Sequence, residues 1–316
     1  MPQPVGAARR PPLLQSAAMW LLLSMLMAGD VQQFPGAKVL PHDKYIHVVS
    51  EADSPVEKVY IKSKDGLYVA AAMRKPKGNG PFPVLVHFHG APGGRGMEQL
   101  AGWARGDFGS PVFERFLQEG YAVVIADYRN VNFNTLADPP PADAVTYADD
   151  AVAVIDYVRK LPYVDPQRVH VYGVSLGGDV TMHLLARTQV RAAILGAGAP
   201  IRFLGIKPSP NAPREDRFRD MTVDEPRAAA NIEKVTTPIL ILVGGDDSLL
   251  PVNRALHDRL EKAGKKVHME IYEHGYHDFV MGPQGQNRPD LKDGEALLDI
   301  TLQALESAVK FVKNPQ

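Results

Sequence analysis

Three short stretches of the sequence carry residue types suited to nucleophilic catalysis. The first is the run from Gly173 to Gly177, which reads Gly-Val-Ser-Leu-Gly. The pattern G-x-S-x-G is typical of a serine on a strained turn between a strand and a helix. Small residues are needed two positions before and after this serine, because side chains there would collide with the neighbouring strand or helix. Ser175 is therefore the candidate nucleophile.

The other two stretches supply a carboxylate and a base. One apolar run ends in two glycines followed by Asp246 and Asp247, and a later run ends near His274 and His277. A histidine can take the proton from Ser175 and return it to a leaving group, while an aspartate fixes the tautomer of that histidine. The residue types alone leave open which aspartate and which histidine perform these roles.

A turn of small residues could bind the developing negative charge. His89-Gly90-Ala91-Pro92-Gly93-Gly94 follows an apolar run that ends at Phe88. Such a turn lets a backbone N–H approach an oxyanion without obstruction by side chains. The amides of Ala91 and Leu176 are the predicted oxyanion-hole donors. We interpret His89 as a loop histidine that is hydrogen-bonded within its turn, not as a catalytic base.

The apolar pattern predicts the elements that must position these residues. A hairpin signal at residues 64–66 is followed by alternating strands and helices. Strands are expected at 56–63, 67–74, 82–88, 121–126, 169–172, 190–195, 238–243 and 267–272. Helices are expected at 111–119, 142–161, 178–187, 252–263 and 294–312. Unbroken apolar strands that alternate with helices predict an α/β fold, with a mainly parallel central sheet covered by helices on both faces.

Further motifs point to a known group of proteins. They are Asp127-Tyr128-Arg129, Asp165-Pro166, Arg168-Val169, the elbow, residues 238–244 and the Gly-x-His that ends at His277. Over about residues 56–312 they resemble the catalytic domain of the prolyl-oligopeptidase-type α/β-hydrolases. In that group the acid follows Gly-x-x-Asp-x-x-apolar-Pro and the histidine lies in Gly-x-His. The resemblance therefore implies an α/β-hydrolase fold, with Ser175, Asp247 and His277 as the catalytic triad.

The sequence also departs from that group. The residues before Val56 leave no room for the large propeller domain of prolyl oligopeptidases. The remaining hydrolase domain is similar also to carboxylesterases, acetyl and feruloyl esterases and dienelactone hydrolases. The last usually employ a cysteine nucleophile, and this chain has 0 cysteines. A serine hydrolase that acts on carboxylic esters is thus expected, with a serine peptidase or aminopeptidase as the alternative and a non-catalytic binding protein as a second one.

Substrate contacts are expected from irregular stretches near the strand ends. Tyr128, Asn130 and Phe133 are candidate substrate-binding residues at the start of a proline-rich segment. Residues 199–226 form a candidate cap over Ser175. The arginine and aspartate of the Asp127-Tyr128-Arg129 motif are interpreted as loop-holding ion pairs, and Asp149 and Asp150 as solvent-facing helix residues. The substrate is expected to be a small-molecule or peptide-like acyl compound.

Composition and the N-terminal residues bear on the binding partners, the cofactors and the location of the protein. The 35 basic and 36 acidic residues leave a net charge of −1, which argues against nucleic-acid binding. We find neither metal-ligand spacing nor a nucleotide motif, so no metal and no cofactor are expected. Residues 1–29 are interpreted as a signal peptide, 30–55 as an N-terminal extension and 56–313 as the catalytic domain. The mature protein is then expected to be exported, periplasmic or extracellular, without stable membrane insertion.

Overall fold

The computed structural model describes residues 53–106, 111–129, 143–277, 279–281 and 294–315. Its strands are β1 (Glu57–Lys62), β2 (Tyr68–Arg74), β3 (Phe82–Phe88), β4 (Ala122–Ala126), β5 (Val164–Val174), β6 (Ala192–Gly196), β7 (Ile239–Gly244) and β8 (Val267–Tyr272). Its helices are α1 (Met97–Arg105), α2 (Pro111–Gln118), α3 (Ala144–Val158), α4 (Leu176–Leu185), α5 (Ile201–Leu204), α6 (Glu225–Glu233), α7 (Leu250–Lys262) and α8 (Gly294–Lys313).

These strands form one sheet with the order β1-β2-β4-β3-β5-β6-β7-β8. The hairpin of β1 and β2 is antiparallel, as its turn signal predicts, and β2 is also antiparallel to β4. All pairs from β4 through β3 to β8 are parallel. The carboxyl ends of β3, β5, β7 and β8 therefore meet at one edge of the sheet, and the loops that follow them can share one site.

The core lies on both faces of the sheet, because successive side chains of a strand point to opposite faces. In β3, Val84, Val86 and Phe88 pack on one face, with α3 and α4, and Leu85 packs on the other, with α2 and α8. All these side chains are buried. Strands buried on both faces explain the unbroken apolar runs, and the predicted α/β architecture is confirmed.

Helices α1, α5 and α6 were not predicted from the sequence, and α5 lies within the expected cap segment. Helix α1 is flanked by Gly96 and Gly106. These glycines made its short amphipathic pattern hard to recognise in the sequence. Helix α6 begins at the end of the expected cap segment, and the side chain of its N-cap residue Asp224 accepts the N–H of Arg227. Between α5 and α6, one antiparallel bridge joins Lys207 to Thr222.

The interpretation of Asp150 as a solvent-facing residue was wrong. Its carboxylate is buried and receives three hydrogen bonds from Arg129, at 2.9 Å from the backbone N–H and at 2.8 and 3.0 Å from the guanidinium. Arg129 also donates to Asp65 in the β1–β2 turn, at 2.6 Å. The expected pairing of Arg129 is therefore confirmed, and it ties the end of β4 to α3 and to the hairpin.

Some sequence predictions lie outside the described residues. These are the signal peptide over residues 1–29, most of the N-terminal extension, and the candidate contacts Asn130 and Phe133. Within the parts of the chain that are described, no helix has the length and apolar character needed to span a membrane.

Candidate active site

The nucleophile elbow connects β5 to α4. Ser175 has φ 52° and ψ −116°, a backbone conformation that is strained for a residue with a side chain. A Cβ on Gly177 would lie 2.0 Å from the carbonyl oxygen of Phe88, and one on Gly173 would lie 2.3 Å from that of Gly177. Glycine is required at both positions, because helix α4 packs directly against the ends of β3 and β5. The elbow thus presents Ser175 at the carboxyl edge of the sheet.

A continuous hydrogen-bonded path leads from Ser175 to a buried carboxylate. Ser175 Oγ lies 2.9 Å from His277 Nε2, and His277 Nδ1 lies 3.1 Å from Asp247 Oδ2. The Asp247 side chain is fully buried, and its Oδ1 accepts the N–H of Leu249 at 2.8 Å. The His277 side chain keeps 30% of its surface exposed. This geometry orients an imidazole to receive the serine proton while one edge of the ring stays open to substrate.

The rival aspartate and histidine form a separate surface pair. His274 Nδ1 lies 3.8 Å from Asp246 Oδ2, and these side chains are 64% and 44% exposed. The backbone N–H of Asp246 is bonded to the carbonyl of Gly275 at 3.1 Å. One position along the first loop and three along the second thus separate the residues that reach Ser175 from the pair at the surface.

The turn after β3 lies beside the nucleophile. Gly90 is so close to Ser175 that a Cβ on Gly90 would lie 3.2 Å from the serine Cβ. Leu176 is the first residue of α4, where backbone amides have no acceptor within the helix. Within the described ranges, neither the amide of Ala91 nor that of Leu176 donates to another group of the protein. Both amides are therefore available beside Ser175.

The carboxylate of Asp127 fixes the shape of this turn through hydrogen bonds. Its Oδ1 accepts the amides of Gly94 at 2.9 Å and Tyr128 at 2.8 Å, and lies 3.1 Å from His89 Nε2. Its Oδ2 accepts the amide of Gly96 at 2.8 Å. Burial raises the pKa of Asp127, but the hydrogen bonds from His89, Gly96 and Tyr128 outweigh it, and the pKa is lowered below its ordinary value. Asp127 is therefore an ionised carboxylate inside the protein.

Tyr128 does not line an open pocket, in contrast to its expected role as a substrate contact. Its side chain is buried, its hydroxyl donates to the carbonyl of His89 at 2.6 Å, and its ring stacks on Tyr147 at 4.4 Å. Burial raises the pKa of Tyr128 well above its ordinary value, so the hydroxyl stays a hydrogen-bond donor. The structure thus places Tyr128 as a support of the β3 turn.

Asp179, one turn after the nucleophile, was missed from the sequence. Its carboxylate accepts the amides of Arg202 at 3.1 Å and Phe203 at 3.0 Å, which anchors α5 to α4. The carbonyl of Ser175 is bonded to the amide of Ala199 at 2.9 Å in the same connection. Burial raises the pKa of Asp179 to about 7, although the two amides oppose this shift. The available signal was an acidic residue near the start of a largely apolar helix.

The described residues contain no group of three or more metal-ligating side chains that could hold an ion. What the site does contain is a nucleophile, a base, a buried carboxylate and two nearby backbone donors. An elbow serine on a mainly parallel sheet, followed along the chain by an aspartate and a histidine in later loops, defines an α/β-hydrolase. The family model of the dienelactone hydrolase family matches residues 69–289, and the chain belongs to this family.

Relatives include proteins of different described activity. An uncharacterized protein of Mycobacterium tuberculosis (strain CDC 1551 / Oshkosh) is 26% identical over 243 residues, which is 76% of this chain and 76% of that protein. The uncharacterized peptidase YuxL of Bacillus subtilis (strain 168) is 25% identical over 284 residues, but this chain spans only 40% of its length. The solved structure of esterase Est22 is similar in fold, with a TM-score of 0.60 at 16% identity, over 95% of this chain and 89% of that chain.

Proposed function

We propose that this protein is a serine hydrolase that cleaves carboxylic esters through an acyl-enzyme. The observation that carries the proposal is the hydrogen-bonded path from Asp247 through His277 to Ser175 Oγ. A glycine-flanked elbow also holds Ser175 in a strained backbone conformation with a positive φ. Strain of this kind is typical of functional sites, and it supports a nucleophilic role over a binding scaffold.

The proposed reaction has two halves. Ser175 Oγ attacks the ester carbonyl while His277 Nε2 takes the hydroxyl proton, and the amides of Ala91 and Leu176 bind the oxyanion. The tetrahedral intermediate collapses, and the C–O bond to the alcohol breaks as His277 returns the proton to the leaving oxygen. Water then attacks the acyl-enzyme, again giving a proton to His277, and Ser175 regains it as the carboxylic acid leaves. Asp247 stabilises the imidazolium at each step.

The family match supports esters over peptides, because the lactone in the name of the dienelactone hydrolase family is a cyclic ester. The similarity in fold to esterase Est22 is consistent with this preference. The peptidase relative nevertheless makes a serine peptidase the second candidate. A peptidase would need a site for a free amine or a proline ring in addition to the triad.

A substrate panel tests the proposal. Nitrophenyl esters with short, long and aromatic acyl groups should be compared with aminoacyl and prolyl nitroanilides, for the wild type and for Ser175→Ala. We expect ester kcat/KM to exceed amide kcat/KM, and Ser175→Ala to abolish both activities. Faster amide turnover would replace the esterase by the peptidase. Full turnover by Ser175→Ala would overturn both candidates.

A further inference from the structure

The oxyanion donor predicted at Ala91 belongs to a peptide group that has its own hydrogen-bond partner. The N–H of Ala91 and the carbonyl of Gly90 are the two ends of one peptide. His89 Nδ1 lies 2.6 Å from that carbonyl oxygen. A hydrogen bond accepted by a carbonyl polarises its peptide, and the N–H of the same peptide becomes a stronger donor. His89 thus contacts the side of the peptide that faces away from the oxyanion.

The other ring nitrogen of His89 faces a second acceptor. Nε2 lies 3.1 Å from Asp127 Oδ1, and Asp127 is ionised because its hydrogen bonds lower its pKa. A neutral imidazole has one N–H, whereas the imidazolium has two. Because both Gly90 O and the carboxylate can only accept, the contacts are satisfied together when both nitrogens of His89 carry a hydrogen.

The ring of His89 is held firmly in this position. It is 2% exposed and packs against Trp103 at 5.5 Å and Tyr128 at 4.8 Å between ring centroids. The hydroxyl of Tyr128 also donates to the His89 carbonyl. The direction of the Gly90 carbonyl, and with it the direction of the Ala91 N–H, is therefore fixed by a rigid side chain.

Neighbouring charged groups are consistent with this arrangement. Burial and then the charge of His89 lower the pKa of His87 to about 3, so His87 is neutral in the folded protein. Arg95 donates to the carbonyl of Ala91 at 2.6 Å, which fixes the next peptide of the same turn. Asp127 is the carboxylate in contact with His89, at 3.1 Å from Nε2.

We propose that His89, clamped by Asp127, is a positioning residue that aligns and polarises the Gly90–Ala91 peptide as an oxyanion-hole donor. The inference rests on the proposed function and adds a second histidine–aspartate pair to the same site. This pair moves no proton during turnover. It acts through the Ala91 amide, on charge that develops in the transition state.

Two substitutions separate the donor from the ring. His89→Phe keeps an aromatic ring between Trp103 and Tyr128 but removes both N–H groups. His89→Asn restores a donor near the place of Nδ1. Removing an oxyanion donor itself lowers kcat by about 10²–10³-fold, so weakening one through its peptide should lower kcat about 10- to 100-fold. We expect KM to change less than about twofold, because substrate carries no oxyanion, and His89→Asn to recover most of the kcat.

The control is His87→Phe, which replaces another buried histidine, two positions before His89 and within β3. Neither ring nitrogen of His87 has a hydrogen-bond partner among the described residues, so this variant should keep its kcat. A trifluoromethyl ketone, which forms an oxyanion on Ser175, should lose affinity for His89→Phe by the same factor as kcat/KM. Equal kcat in His89→Phe and the wild type would overturn the inference.

A measurement without substrate distinguishes this inference from the proposed function. Carbonyl-¹³C glycine combined with ¹⁵N alanine selects the few Gly–Ala peptides of the chain, including Gly90–Ala91. The Ala91 amide proton should resonate downfield in the wild type and move upfield in His89→Phe. An unchanged resonance would contradict the inference. A wild type that hydrolyses no ester or amide would refute the proposed function, while the Ala91 resonance would still decide the role of His89.

Discussion

Asp247 and Asp127 are buried aspartates that each contact the ring of one histidine, and the two pairs differ in what the histidine touches on its other side. His277 bridges Asp247 to a hydroxyl group and keeps 30% of its side chain exposed. His89 bridges Asp127 to a peptide carbonyl and is 2% exposed. A hydroxyl can give a proton, whereas a carbonyl can only accept a hydrogen bond. Similar pairs are thus suited to moving a proton in one place and to holding one in the other.

The two carboxylates also differ in their other contacts. Asp247 accepts one backbone amide, from Leu249. Asp127 accepts three, from Gly94, Gly96 and Tyr128. Asp127 thus organises the whole turn after β3, while Asp247 mainly orients one side chain. We therefore expect changes at the first pair to affect turnover most, and changes at Asp127 to affect the free energy of unfolding.

The largest effect is expected at His277. His277→Ala removes the proposed base, and kcat for an ester should fall about 10⁵- to 10⁶-fold, as is typical when a serine hydrolase loses its catalytic histidine. Steady-state kinetics with a nitrophenyl ester measures this loss. His274→Ala, in the adjacent surface pair, is the matched control and should stay within about twofold of the wild type. A larger loss in His274→Ala than in His277→Ala would reverse the assignment of the base.

The next effect separates the adjacent aspartates. Asp247→Asn should lower kcat about 10⁴-fold, because an amide in this place favours the wrong tautomer of His277. Asp246→Asn should change kcat little, since Asp246 lies at the surface. Steady-state kinetics of the two variants, measured side by side, tests whether Asp247 or Asp246 orients His277. Comparable losses in both variants would contradict the assignment.

Substitution of Asp127 should affect the free energy of unfolding more than substitution of Asp247. Asp127→Ala leaves three amides and the His89 N–H without their acceptor, and we expect a loss of about 2–5 kcal/mol in the free energy of unfolding. Asp247→Ala should lose less, about 1–2 kcal/mol, because one amide and one ring N–H lose their acceptor. Urea unfolding measures both values. A smaller loss at Asp127 than at Asp247 would contradict the structural role of the second pair.

The last effect concerns Asp179, a buried carboxylate that accepts two backbone amides. Its pKa in the folded protein is raised to about 7 from 3.8, so the folded state binds a proton more readily than the unfolded chain. The stability contributed by this group is present below about pH 4 and is lost as the pH rises to about 7. Unfolding in urea at several pH values should show a loss on the order of 3–5 kcal/mol, since each pKa unit corresponds to about 1.4 kcal/mol, and this loss should be absent in Asp179→Asn. Equal pH dependence in both proteins would contradict this.

The local parts of the site could be predicted from the sequence, because they depend on neighbouring residues. The elbow requires glycines close to Ser175, and the hairpin requires its turn residues, so both are visible as short motifs. The choice of Asp247 over Asp246 came from the resemblance to a known group, since the residue types alone left it open. The structure brings Asp247 and His277 to Ser175, and their catalytic roles stay predictions.

The contacts that could not be predicted join residues that are distant in the sequence. Asp127 reaches amides more than 30 residues earlier, and Arg129 reaches Asp150 across 21 residues. No periodic pattern marks such pairs, and a helical aspartate without a known partner is interpreted as solvent-facing by default. Tyr128 is likewise buried by contacts with residues that are distant in the sequence, such as His89. The signal peptide, export and the contacts at Asn130 and Phe133 remain predictions.

The central claim is that Ser175 is an activated nucleophile. Labelling with a fluorophosphonate probe, followed by peptide mapping, tests it without knowledge of the substrate. We expect one labelled peptide that contains Ser175, loss of the label in Ser175→Ala, and strongly reduced labelling in His277→Ala. A folded wild-type protein that takes up no label, or that is labelled equally in Ser175→Ala, would contradict the account.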